Sequence, residues 1–254
     1  MQKKVLIIGG TSGLGRKLAE LYIEKGHLVA VVGRRQHLLN QLKSQFKEKV
    51  ITYQADISSL HPVFAIKEIT NLLGGLDIFI LTAGFVEFNE PLSWEIEEAT
   101  IKTNVTGFAK AVNEAYHFFL EQDSGHIVIT TSTASSRGNK LAPAYNASKV
   151  FQSFYAEGIR IKLKGMKSNV RVTELVPGYM DTDMMKGERL FWIAPVEKAA
   201  RQCIKAIEKK KAKAFITKRW WLIYHLQRLM PAFIYEPVIN GSWKLRRSKQ
   251  SNFK

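Results

Sequence analysis

Cysteine is nearly absent. Cys203 is the only one in 254 residues, so no internal disulfide can form, and its neighbours Ala199, Ala200, Ile204, Ala206 and Ile207 predict a packed thiol in a reducing compartment. No Pro/Gly/Ser-rich tract, repeat or low-complexity segment interrupts the chain, so nothing marks an internal boundary before a basic C-terminal stretch. Acidic residues are scarce, with 22 Asp and Glu against 38 Lys and Arg, a formal net charge of +16. The first residues, Met1-Gln2-Lys3-Lys4, lead within a few positions into a glycine-rich loop and leave no room for the apolar region of a signal peptide, so a non-secreted, cytoplasmic protein is expected.

What is plentiful is apolar. Hydrophobic residues make up 46% of the sequence, enough to bury a large core in one α/β domain of this length. The positive charge is not spread over that domain: from Lys198 to Lys254 stand 15 Lys or Arg and two acids, Glu208 and Glu236, which is 13 of the 16 net charges. Clustered cations invite a nucleic-acid reading. No recognisable nucleic-acid motif accompanies them, and a basic appendage on a near-neutral body fits an anionic surface instead, so no specific nucleic-acid partner is expected.

Short apolar runs alternate with amphipathic stretches: Val5–Ile8 then Leu18–Lys25, Leu28–Val32 then His37–Phe46, Val50–Tyr53 then Val63–Leu73, and Leu76–Leu81. Runs such as Val5-Leu6-Ile7-Ile8 lack the polar alternation of a one-sided sheet and read as parallel strands buried on both faces. The second half predicts helices near Trp94–Lys102 and Thr106–Leu120, a strand at His126–Thr131, a helix from Pro143 to Lys164, a strand at Val170–Val176, a helix from Pro195 and a strand at Ala212–Ile216. The sum is a doubly wound parallel sheet of about seven strands over residues 1–217, followed by a basic amphipathic extension, 218–254.

Gly9-Gly10-Thr11-Ser12-Gly13-Leu14-Gly15 follows the first buried strand and opens the first helix, the setting in which a glycine-rich sequence means dinucleotide binding. Glycine lets the backbone turn sharply and approach a pyrophosphate, whose charge then meets the free N–H groups and positive dipole end of the helix. At the end of the second strand, Val31-Val32-Gly33-Arg34-Arg35, the acid that would hold an adenosine ribose diol is missing. Glycine there leaves room for a 2′-phosphate that Arg34 or Arg35 could bind by charge-assisted hydrogen bonds, so NADP(H) is preferred over NAD(H).

Tyr145-Asn146-Ala147-Ser148-Lys149 puts a phenol and an ammonium on one helix face, a turn apart. A free phenol titrates near pH 10 and is a poor base at neutrality unless nearby positive charge favours phenolate. Ser132, just past a strand, could donate a hydrogen bond to a substrate oxygen as charge develops on it.

With these residues in view the chain resembles the short-chain dehydrogenase/reductase family, from about Val5 to Ile216. The motifs are the Gly9–Gly15 loop, Asp56, Thr82-Ala83-Gly84, Asn104 in Asn-Val-Thr-Gly, Ser132, Tyr145 to Lys149, and Pro177-Gly178 leading to Thr182. The resemblance implies a Rossmann fold, with Tyr145 as acid in reduction and base in oxidation. It makes Lys149 the group that lowers the Tyr145 pKa and binds nicotinamide ribose, Ser132 the group that orients the carbonyl, and Asn104 the holder of a relay water. It further implies cofactor contacts at Gly9, Thr11, Ser12, Gly13, Leu14 and Gly15, at Asp56 and Ile57, at Ala83 and Gly84, and at Pro177, Gly178 and Thr182. Two positions depart from the family pattern: Ile8 stands where threonine is usual, and Leu81-Thr82-Ala83-Gly84 replaces Asn-Asn-Ala-Gly. Both mainly buttress the loops, so adjusted packing with retained cofactor binding is expected.

Met184, Met185, Leu190, Phe191 and Trp192 occupy the segment after Thr182 that closes over substrate in the resembled family. They either line a site for an apolar or lipid-like carbonyl or alcohol, or pack the segment onto the body or a second subunit. In the extension, Leu222, Ile223, Leu226, Leu229 and Met230 share an arc of about 120°, with Lys218, His225 and Arg228 on another face. The segment is too short and too charged to span a bilayer. Its apolar face either lies on an anionic membrane surface or packs against the body or a second subunit. The resembled family is usually dimeric or tetrameric, so a homodimer or homotetramer is expected. The leading functional reading is an NADP(H)-dependent carbonyl/alcohol oxidoreductase. The alternative is a non-catalytic NADP(H)-sensing regulator acting through its basic tail.

Overall fold

A computed structural model describes residues 1–59, 66–182 and 192–251, with side chains as far as residue 241. Seven parallel strands form its centre: β1 (Lys4–Ile8), β2 (Leu28–Gly33), β3 (Val50–Gln54), β4 (Ile78–Leu81), β5 (Gly125–Thr130), β6 (Val170–Pro177) and β7 (Lys213–Ile216). Their order across the sheet is β3-β2-β1-β4-β5-β6-β7. The alternation of strands with helices forces this arrangement, because a parallel neighbour is reached only through a crossover, and each crossover lays its helix on a sheet face.

The two faces divide the strand residues by parity. Val5 and Ile7 point toward α1 (Gly13–Glu24), α2 (Gln36–Phe46) and α7 (Val196–Glu208), where Leu18, Leu39, Leu42, Cys203 and Ile204 complete one core. Leu6 and Ile8 point the other way, to α3 (Ile66–Leu73), α5 (Phe108–Glu121) and α6 (Pro143–Gly165), with Phe108, Val112, Phe119 and Ala156 in the second core. Every residue from Val5 to Ile8 is at most 1% exposed, as runs without polar alternation require. Cys203 is a buried free thiol, as its apolar neighbours predict.

The strand order reverses between β1 and β4, which opens a crevice at the carboxyl ends of the strands. The helical region before β5 differs from the expectation of two separate helices. α4 (Trp94–Ile101) runs into α5 through a π-helical turn, Lys102–Gly107, so the chain never breaks but is locally underwound by a wider turn.

Beyond β7 the chain returns to the body as α8 (Trp220–Leu229) and α9 (Ala232–Ser251). In α8, Trp220, Tyr224 and Gln227 follow i, i+4, i+7 spacing and form the inner stripe. Trp220 and Tyr224 are 3% and 1% exposed, and the Gln227 Oε1 accepts from Ser136 Oγ at 2.7 Å. Burial of each such aromatic is worth on the order of 2–3 kcal/mol. Leu222, Leu226 and Leu229 are offset from that stripe by two residues, roughly 200°, and so face solvent. Of the apolar arc read from the sequence, Leu222, Leu226 and Leu229 therefore form the outer face, while Ile223 and Met230 are half-buried at its edges.

Candidate active site

The Gly9–Gly15 loop is shaped by what its glycines touch. Gly9 adopts φ +85°, and a β-carbon there would overlap the Ala83 backbone; one at Gly15 would overlap the Gly9 carbonyl and the Thr82 hydroxyl. The loop is thus pressed against the end of β4, and Thr82 Oγ1 donates to the Ile8 carbonyl at 3.0 Å. That bond joins the ends of β1 and β4 at the two positions that depart from the family pattern.

Ser12 caps α1 without a side-chain bond, no acid stands in the first turn, and the first helix bond runs from the Arg16 amide to the Ser12 carbonyl. The amides ahead of Arg16 are left for an anion. A β-carbon at Gly13, where φ is +52°, would lie 3.4 Å from Thr182 Cγ2, so the far end of the cleft comes down onto the phosphate loop. These features fit a dinucleotide pyrophosphate.

Arg34 and Arg35 diverge. Arg35 Nη2 donates to Thr11 Oγ1 at 3.2 Å and to Ser12 Oγ at 2.6 Å, so it is tied to the loop. Arg34 is exposed and lies 3.9 Å from Asp56, whose other oxygen accepts from the Ser58 amide and hydroxyl. Ile57 meets the end of the π-helical turn, where a β-carbon at Gly107 would overlap the Ile57 carbonyl. Ile8, Val32, Ala55, Ile57 and Ala111 line a narrow apolar slot beside Asp56.

Ser132, Tyr145, Lys149 and Asn104 converge at the other side of the crevice. Ser132 Oγ accepts from the Ala134 amide at 3.1 Å and is left to donate to the Tyr145 phenol. Burial pushes the Tyr145 phenol up, and the bond from Ser132 acts in the opposite sense. Lys149 is 5% exposed, and burial pulls its ammonium down to about 8. Its Nζ stands 5.6 Å from the Tyr145 ring centroid. A β-carbon at Gly84 would lie 3.5 Å from both Lys149 Nζ and Asn104 Oδ1, so this glycine keeps the floor between them open.

Asn104 sits inside the π-helical turn and is fully buried. Its side chain bridges both backbone groups of Phe85, at 2.8 and 2.7 Å, and donates to Ser148 Oγ at 3.1 Å. Its carbonyl, which the wider turn releases from the helix ladder, accepts from Gln152 Nε2 at 2.8 Å, and Gln152 Oε1 accepts from Lys149 Nζ at 2.8 Å. Gln152 therefore bridges the Asn104 carbonyl and the Lys149 ammonium. Sequence reasoning missed it; the one available signal was a polar residue a turn beyond Lys149 on a face that must be buried.

A second missed set lies behind Ser132. Glu174 is 1% exposed and accepts from Thr131 Oγ1 at 2.9 Å, while Lys213 Nζ lies 3.2 Å from the Glu174 carboxylate and donates to Ser153 Oγ at 3.2 Å. The same ammonium stands 5.3 Å from the Tyr224 ring centroid, which couples α8 to the sheet. A buried carboxylate is tolerable only with such partners.

Pro177 ends β6, and Gly178 packs so tightly under Trp220 that a β-carbon would enter the indole ring. Tyr179 and Trp192 stand edge-on to Trp220 at 5.1 and 6.2 Å between centroids. Met184, Met185, Leu190 and Phe191 lie outside the described residues.

Comparison with known proteins agrees with this arrangement. The family described as short chain dehydrogenase matches residues 3–192. An NADP-dependent 3-hydroxy acid dehydrogenase, YdfG, of Salmonella typhi is 33% identical over 181 residues, covering 68% of this chain and 71% of that one. Among solved structures, the closed form of serine dehydrogenase complexed with NADP+ aligns with a TM-score of 0.74 at 25% identity, over 84% of this chain and 93% of that one. A Burkholderia phymatum protein of the same family, in complex with NAD, aligns with a TM-score of 0.79 at 20% identity, over 89% and 92%, and speaks for the fold alone.

Proposed function

Because the chain belongs to the short-chain dehydrogenase/reductase family, we propose that it is an NADP(H)-dependent oxidoreductase that interconverts a carbonyl and an alcohol, with Tyr145 as acid/base. The observation that carries this is the convergence of Ser132 and Lys149 on Tyr145 at the open end of the strand-order reversal. The nicotinamide, when bound, supplies or accepts the hydride.

The protein's own groups handle the oxygen. In reduction the Ser132 hydroxyl and the Tyr145 phenol donate to the carbonyl oxygen, and the Tyr145 proton passes to it as the alcohol forms. Burial that keeps the phenol protonated suits an acid. The Lys149 ammonium then stabilises the phenolate left behind until solvent reprotonates it. In oxidation the same groups run in reverse, with Tyr145 taking the alcohol proton.

The absence of an acid at the end of β2, the two arginines there and the NADP dependence of the Salmonella relative favour NADP(H) over NAD(H). The aromatic group of Tyr179, Trp192 and Trp220 supports an apolar or lipid-like ketone or aldehyde. The chemistry is assigned to residues 1–217 of a cytoplasmic homodimer or homotetramer, with 218–254 as a basic extension to that domain.

NADPH oxidation with ketones and aldehydes of rising chain length tests it. Tyr145→Phe is expected to lower turnover by roughly 10²–10⁴-fold while NADPH still binds. An undiminished rate in the variant overturns the assignment, and binding without turnover in the wild type leaves the sensing regulator.

A further inference from the structure

No described helix is long and apolar enough to cross a membrane, yet the outer face of the C-terminal helices is apolar. Leu222, Leu226 and Leu229 form its stripe on α8, Trp221 flanks it, and Phe233 and Val238 extend it onto α9; Leu229 and Phe233 are 81% and 77% exposed. A water-facing helix has no use for such a row, because the inner stripe of Trp220 and Tyr224 already docks it.

Charge decides what covers this face. Residues 218–254 carry eight Lys or Arg and one acid, Glu236. Two copies meeting through the same face would bring like charges together, which an isologous contact cannot avoid. An anionic lipid surface satisfies both features at once. Leucine, phenylalanine and tryptophan enter the headgroup boundary, and Lys218 and Arg228, both exposed on α8 and its approach, meet the phosphates.

The same two helices are fastened to the loops around Tyr145. Trp220 covers Gly178, Ser136 bonds to Gln227, Arg137 Nη1 donates to the Met230 carbonyl at 2.5 Å, and Tyr235 Oη donates to the Gly138 carbonyl at 2.8 Å. Whatever α8 and α9 rest on therefore lies next to the segment that runs from Ser132 to Tyr145.

We propose that the outer face of α8 and the first turns of α9 seat the protein on an anionic bilayer, so that the Tyr145 cleft receives its substrate from the lipid phase. Delivery to the cleft rests on the oxidoreductase function; the seating does not.

Flotation of the full chain with phosphatidylcholine vesicles, with and without phosphatidylglycerol, measures the seating with no cofactor or turnover involved. The protein is expected to float with the anionic vesicles at least tenfold more than with the neutral ones, and to be released as salt screens the contact. The triple variant Leu222→Glu, Leu226→Glu, Leu229→Glu is expected to lose flotation with an unchanged melting temperature, since all three side chains are exposed. Retention of the wild type in the soluble fraction overturns the proposal. So does a variant that changes only the oligomeric state in sedimentation velocity, which assigns the face to a second copy. In the activity arm, the variant should reduce a short water-soluble ketone as fast as the wild type and a long-chain ketone held in anionic vesicles several-fold more slowly; equal rates on both overturn delivery. Turnover absent from both proteins is instead a failure of the redox reading, and leaves the flotation result intact.

Discussion

Lys149 donates to Gln152 Oε1 at 2.8 Å while its Nζ stays 5.6 Å from the Tyr145 ring centroid, so the ammonium is steered by a residue one turn after it and reaches the phenol through space. Gln152 in turn is anchored on the Asn104 carbonyl in the π-helical turn, which makes the glutamine a positioning residue between two groups of the site. A hydrogen bond to a charged group is worth about 1.5–3 kcal/mol. Burial already holds the Lys149 ammonium down to about 8, so turnover should be full below that pH and fall above it as the positive charge is lost. Gln152→Leu removes the acceptor and is expected to move the alkaline limb of the kcat profile to lower pH, with about a tenfold loss at neutrality. Gln152→Glu should move the limb upward. An unshifted profile in both variants would reduce Gln152 to packing.

Cofactor choice should reside in the two arginines. Arg35→Ala and Arg34→Ala are each expected to weaken NADPH about tenfold, as loss of one charge-assisted contact to a phosphate would, with NADH unchanged. Titration of both cofactors by fluorescence checks this. An equal effect on both cofactors would mean that the bonds from Arg35 to Thr11 and Ser12 shape the loop rather than read the phosphate.

The orientation of α8 predicts an asymmetric response to truncation. Trp220→Ala empties a buried site against Gly178 and should cost about 3–5 kcal/mol in chemical denaturation. Leu229→Ala, on the exposed face, should stay within about 0.5 kcal/mol. Comparable losses at the two positions would place the outer stripe against protein.

His126 gives an acid-sensitive stability. Its Nε2 lies 2.7 Å from Thr173 Oγ1, and burial, with Lys210, Lys3 and Arg171 nearby, pulls the imidazole from 6.5 down to about 4. The unfolded chain therefore binds the proton first as pH falls, and stability is lost between about pH 6.5 and about pH 4. The loss at this group amounts to at most about 3 kcal/mol. His126→Gln should flatten that part of the stability profile; an unchanged slope would assign the acid sensitivity elsewhere.

The strand and helix pattern was legible because period and burial are local properties. Val5–Ile8 could only be a strand covered on both faces, and Tyr145 and Lys149 had to share a helix face whatever surrounded them. Gln152 was not legible, since its function depends on a carbonyl freed by a π-helical turn 48 residues earlier, and no local propensity marks such a turn. Glu174 was hidden within β6 because its partners come from either side of that strand, Thr131 from just past β5 and Lys213 from β7, a register that only the folded sheet sets.

By itself the sequence determined the doubly wound class, the glycine loop, the order of the chemical residues along the chain and the location of its charge, all of which follow from backbone geometry and residue type at fixed spacing. The tertiary structure alone decided which stripe of α8 turns inward. The leucine arc stood out in the sequence, but the stripe of Trp220, Tyr224 and Gln227 turned inward, and the choice came from the space beneath Gly178, which an indole fills, and from a lysine on β7 that the Tyr224 ring covers.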